Sequence, residues 1–155
     1  HNMLARLNRM LRATTLMLHL AGVPSEIVVV EWNPPPREAP IAGLLRRAPG
    51  TEGSVAIRVV RLPSEVHSTM PHRKAYAIFE NAASNVGIRR ARGRFVLRTT
   101  MDMIFSPDIV RFIARRQLRE DAVYRAAYGA VDVAPEAEGL EPEEFVDWVF
   151  SRPQL

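Results

Sequence analysis

"RRARGRFVLRTTMDMIFSP", residues 89–107, decides how the rest of the chain is read. Arginines at 89, 90, 92 and 94 crowd its start, an apolar run follows, and the run stops at one carboxylate, Asp102, among Met101, Met103, Ile104 and Phe105. "RFVLRTT" has strand composition. "SPDIVRFIARRQL" behind it opens as helices do, with Ser106 as N-cap, Pro107 in the first position and Asp108 in the first turn. A strand that enters a helix through a short turn belongs to a crossover unit. A carboxylate at that turn is costly in apolar company unless a cation or donors satisfy it. Two arrangements would do so: an ion pair with Arg98, or a divalent ion held by Asp102 together with substrate phosphates, the usual magnesium arrangement.

Outward from this stretch the same alternation repeats. Residues 3–20 place Leu4, Leu7, Met10, Leu11, Thr14, Met17 and Leu18 at three- and four-residue spacing, with Arg6, Arg9 and Arg12 mostly opposite, which predicts an amphipathic helix stopped by Gly22 and Pro24. "EIVVVEW", residues 26–32, is too short and too β-branched for a helix and reads as a buried parallel strand ended by "NPPP". A short helix is expected at 41–47 and a second strand at 54–63, followed by a polar loop through residue 73. A long helix is expected from 73 to 90, with Gly87 loosening its end. The third strand is 94–100, then comes the helix from Ser106, and "AVYRAAYGAVDV", residues 122–133, is the fourth strand. "APEAEGLEPEE" reads as an acidic linker, and residues 142–150 as a last helix ended by Pro153. The predicted fold is α/β, a mostly parallel sheet flanked by helices, and ligands of such sheets bind beyond the carboxyl ends of the strands. Those ends carry Glu31 and Asn33, Leu62 to Ser64, and Thr99 to Asp102.

Composition narrows the chemistry. With 155 residues, 47% of them hydrophobic and 25% charged, one ordinary domain with a core is expected, and no apolar run reaches the roughly 18–20 residues of a membrane-spanning helix. The chain has no cysteine, which removes thiolate metal sites and cysteine nucleophiles and fits a cytoplasmic setting. The net charge of +4 is almost all arginine, since Lys74 is the only lysine. Arg89, Arg90, Arg92 and Arg94 lack interleaved aromatics, so nucleic acid is a disfavoured partner. Neither "GxxxxGK", "GxGxxG" nor "GxSxG" occurs, and His1, His19, His67 and His72 form no helical metal pair. Trp32 and Trp148 read as core or rim aromatics. Glu31 reads either as a strand-end residue or as an acceptor for a base or ribose.

The residues of "NAASNVGIRRARGRFVLRTTMDMIFS", 81–106, resemble the segment of family-2-type GT-A-fold glycosyltransferases in which a helix ending "N-x-G-I-x-x-A-x-G" runs into a strand closed by a DXD-like motif. Asn85, Gly87, Ile88, Ala91, Gly93, Phe95 and Asp102 carry the likeness, "EIVVVEWNPP" resembles that family's second strand, and the first helix resembles its first helix. The resemblance implies a Rossmann-like nucleotide-sugar-binding domain over residues 1–134, with its first strand and its acceptor half outside it, and an acidic linker with a short helix over 135–155. It implies that Asp102 holds Mg2+ or Mn2+ on the diphosphate of a nucleotide-sugar donor. Glu31, Asn33, Asn85 and Thr100 would contact the nucleotide, the acceptor would be a glycan, lipid or protein, and no catalytic residue is assigned. The motif reads Thr100-Met101-Asp102, a threonine where the first acid stands, and Ser84 replaces an arginine that many relatives carry. The opening His1-Asn2 raises the expectation of a fragment. A catalytically inactive nucleotide-sugar-binding module is the alternative reading.

Overall fold

The computed structural model describes residues 3–152; His1, Asn2 and the expected helix stop at Pro153 lie outside the described residues. The leucine spacing at the start folds as read, into helix α1, Met3–Leu20. Gly22 closes it at φ +63°, a left-handed backbone that glycine takes without a Cβ penalty. Strand β1, Ser25–Trp32, follows, and strand β2, Val55–Leu62, pairs with it in parallel, with Ser25 opposite Val55 and Trp32 opposite Leu62. Between them Ile41–Leu44 makes a single 3₁₀ turn, shorter than the expected helix.

The α1 face of the sheet holds Ile27 and Val29 of β1 and Ile57 of β2, packed under Leu7, Met10 and Leu11. The opposite face meets helix α3, Glu80–Arg90, which comes so near that a Cβ on Gly87 would stand 3.3 Å from a Val30 γ-methyl. Gly87 thus permits a helix–strand contact and does not loosen the helix end. The polar loop expected after β2 contains a short helix, α2, Ser64–Ser68, and α3 begins at 80, not at 73.

Helix α4, Pro107–Ala114, starts as its sequence dictates: Ser106 Oγ accepts the Ile109 N–H at 3.3 Å, and Pro107 fills the first turn. Pro135–Ala137 forms a 3₁₀ turn, and helix α5, Pro142–Ser151, opens with a reciprocal cap between Glu141 and Glu144. The acidic stretch and α5 dock on α1: Ala137, Phe145 and Val146 enclose Ala13. Arg12 reinforces the contact through Glu141 at 2.7 Å.

The expectation of a mostly parallel sheet is corrected in extent. Among the described residues the sheet has two strands, and neither 94–100 nor 122–133 joins it. A strand exists only through its ladder, and among the described residues 94–99 make no backbone hydrogen bond, leaving Val96 and Leu97 about half exposed at 50% and 53%. Residues 122–130 are exposed throughout, Val123 completely, so their strand-like composition has no sheet to enter. No helix among the described residues is long and apolar enough to cross a membrane.

Candidate functional site

Helix α1 fixes which end of the sheet Asp102 occupies. His19, in its last turn, sits 2.8 Å from Ser54 at the start of β2. The first turn lies thirteen residues earlier, roughly 20 Å along the axis, about the length of the strands, and therefore over their carboxyl ends. Arg6 of that turn holds Asp102 Oδ2 at 2.5 Å, and Thr100 donates its hydroxyl to Asp102 Oδ1 at 2.8 Å. Met101 and Ile104, on either side, insert into the apolar cluster of Leu7, Met10 and Leu11 and keep the turn in place. Asp102 is therefore charge-compensated, by Arg6 and not by Arg98, whose Nε donates to Ser84 Oγ at 3.0 Å.

Glu31 stands at the same end on the α1 face of β1. Arg61, opposite in register on β2, places its Nε 3.6 Å from Glu31 Oε2, and Glu31 Oε1 accepts the Ile41 N–H at 3.2 Å. Its side chain is 12% exposed, so the pair neutralises a largely desolvated carboxylate and ties the loop after β1 to the sheet. Asn33 continues the ladder, donating its N–H to the Leu62 carbonyl at 2.9 Å, and turns the chain at φ +49°. Asparagine tolerates that conformation better than most side chains. Of the expected site residues, Thr100 and Asp102 bond to one another, whereas Glu31 and Asp102 each have their own arginine and do not bond to one another. Asn85 is exposed on α3 with no side-chain hydrogen bond and does not join them.

On the other face of that end lies an aromatic cluster. Trp32 Nε1–H donates to His67 Nδ1 at 2.9 Å, which places the imidazole proton on Nε2, 3.2 Å from the Arg73 carbonyl. Phe79 packs on both rings, with Tyr76 at its edge. His67 is a structural residue with both nitrogens engaged, and Trp32 is a rim aromatic as read.

Sequence reasoning missed Arg6, Arg61, Arg58 and Glu26. Arg58 donates to Glu26 at 3.0 Å and also to the Arg90 carbonyl, while Glu26 accepts the Arg92 N–H. A signal was present: acids bound the run in β1 at 26 and 31, and arginines sit at 58 and 61 in β2. Arg6 carried none, since its partner is far along the chain.

Asp102 with the Thr100 hydroxyl is a small donor set, and among the described residues no three His, Asp or Glu are grouped to hold an ion. One carboxylate fits a magnesium or manganese ion whose remaining ligands are water and substrate phosphates. Comparison with family models, with curated proteins and with solved structures finds no match to this chain.

Proposed function

We propose that the carboxyl end of the sheet binds a nucleotide-diphosphate sugar and that the chain is the donor-binding part of a glycosyltransferase. The observation that supports this most is the Arg6–Asp102–Thr100 arrangement, an anion and a cation side by side, 38% and 48% exposed, at the turn that precedes α4. A diphosphate offers each what it needs. Arg6, with a planar fork of donors, turns from the carboxylate to phosphate oxygens. Asp102 is then released toward a cation, and the Thr100 hydroxyl keeps its carboxylate oriented. The chemistry supplied when Mg2+ or Mn2+ is bound there is Lewis-acid stabilisation of the diphosphate leaving group. Glu31, Asn33 and Asn85 remain the proposed nucleotide contacts; for Glu31 this requires competition with Arg61.

Calorimetric titration of uridine or guanosine diphosphate, with Mn2+ present, tests the reading. Binding at one hundred times Kd stabilises the chain by about 2.7 kcal/mol. Asp102→Asn removes that gain while changing the stability of the free chain by no more than about 1 kcal/mol, since the pair with Arg6 is exposed. Absence of binding by the wild-type chain, or an Asp102→Asn chain that melts several kcal/mol early, overturns it. A binding module without catalysis is favoured by Thr100 at the first acid's place, and donor hydrolysis or transfer separates the two readings.

A further inference from the structure

We propose that residues 64–79 form a strap at the end of β1, latched while the His67 imidazole is neutral and released when it takes a proton. Few contacts hold the strap to the rest of the chain. α2 and the residues after it bond among themselves: the Ser68 hydroxyl donates to the Glu65 carbonyl, the Thr69 hydroxyl to that of Val66, the Met70 N–H to that of His67 and the Ala75 N–H to that of His72. Among the described residues, the single hydrogen bond between this segment and an earlier element runs from Trp32 Nε1–H of β1 to His67 Nδ1, at 2.9 Å, and no ion pair includes any of its residues.

Burial adds little to that tie. No residue from 64 to 79 is buried; Ser64, His67, Met70 and Phe79 are half-buried and the others are exposed. Neither apolar cluster on α1 includes a residue of the segment. Two of the four half-buried residues, His67 and Phe79, are the ones that pack on Trp32, with ring centroids 6.2 and 6.0 Å from the indole. The latch is thus three rings and one hydrogen bond, and a segment held by so few contacts opens at low free-energy cost once the bond is lost.

The bond is one that a proton reverses. An indole nitrogen donates and does not accept, so His67 Nδ1 presents its lone pair to Trp32, and Nε2 keeps its hydrogen for the Arg73 carbonyl, 3.2 Å away on the strap itself. A proton added to His67 goes to Nδ1, where it sets N–H against N–H. The bond from Nε2 to Arg73 becomes charge-assisted at the same time, so the strap keeps its own fold while its tie to β1 is lost. The surroundings do not offset the new charge. Trp32 and Phe79 are neutral, as is Tyr76 at the edge of Phe79. On the strap, Glu65, His72, Arg73 and Lys74 are exposed; on β1, Glu31 is engaged by Arg61. Histidine changes charge between about pH 5 and pH 8, and the latch works in that range.

Acrylamide quenching of Trp32 fluorescence tests this in a Trp148→Phe chain, which leaves Trp32 as the one indole. The quenching constant is expected to rise at least about twofold from about pH 8 to about pH 5, with helix content by circular dichroism unchanged. In the same chain His67→Gln makes the constant independent of pH over that range, and His72→Gln leaves the rise in place. The full-length chain labelled with fluorotryptophan gives a second readout without the Trp148 substitution: the Trp32 fluorine signal, identified by its loss in Trp32→Phe, moves over the same range, and ceases to move in His67→Gln. A quenching constant that stays level in the parent chain, a rise that persists in His67→Gln or vanishes in His72→Gln, or a rise that comes with loss of helix content each overturns the proposal.

Discussion

Glu26 shows how one side chain organises a chain reversal. It accepts the Arg92 N–H and the Arg58 guanidinium, and Arg58 in turn binds the Arg90 carbonyl, so the exit of α3 is fastened to the start of β1 through backbone groups. The Arg92 amide holds the Glu26 carboxyl below the usual carboxylate range, with Arg58 adding to the effect and burial opposing it. The folded state therefore binds this proton less readily than the unfolded chain. Its stabilisation is complete above the unfolded pKa, about 4.3, and is lost as pH falls through the lower folded value. Urea midpoints followed from pH 6 to pH 3 are expected to fall less steeply for Glu26→Gln than for the wild type below about pH 4, from a lower starting point at neutrality. Parallel profiles would assign the acid lability to other carboxylates. By contrast the exposed pairs Arg111–Asp108 and Arg119–Asp121 contribute little. The Asp102 turn was readable because its acid sits in a local pattern; the role of Glu26 was not, because its partners come from two distant elements.

Elements whose reason is local were legible, and those whose reason lies across the fold were not. α1 follows from leucine spacing, α4 from Ser106-Pro107-Asp108, and β1 and β2 from β-branched runs bounded by turn residues. Residues 94–100 have the same strand composition, but a ladder needs a neighbour, and no periodicity in a segment reports whether an edge is within reach. The start of α3 was misplaced for a related reason: Tyr76 and Phe79 join the aromatic cluster of Trp32 and His67, and Ala75, Ala77 and Ile78 are exposed, so these residues do not form a helical stripe. Gly87 belongs to the element scale too. Replacement by Leu drives a branched side chain into Val30 and is expected to cost about 1–3 kcal/mol, less whatever helix propensity returns. Chemical denaturation measures this, and a neutral Gly87→Leu would show that α3 can retreat from β1 freely.

At the scale of the molecule, α1 is the centre, with one apolar cluster on the sheet side and another toward α5. Leu11, wholly buried in the sheet-side cluster, is the residue whose truncation best reports that packing: Leu11→Ala is expected to cost about 2–5 kcal/mol in urea unfolding. A loss well under 1 kcal/mol would mean that α1 is not the core. The same centrality made the two-strand sheet hard to foresee, since a helix packed on two sides stabilises the chain without the further strands that composition suggested. The docking of α5 on Ala13 also sets an order in time. During synthesis at roughly 5–20 residues per second, on the order of ten seconds separate the appearance of Ala13 from that of Phe145 and Val146. For that interval α1 waits with one flank bare, and α5 is the helix that closes it.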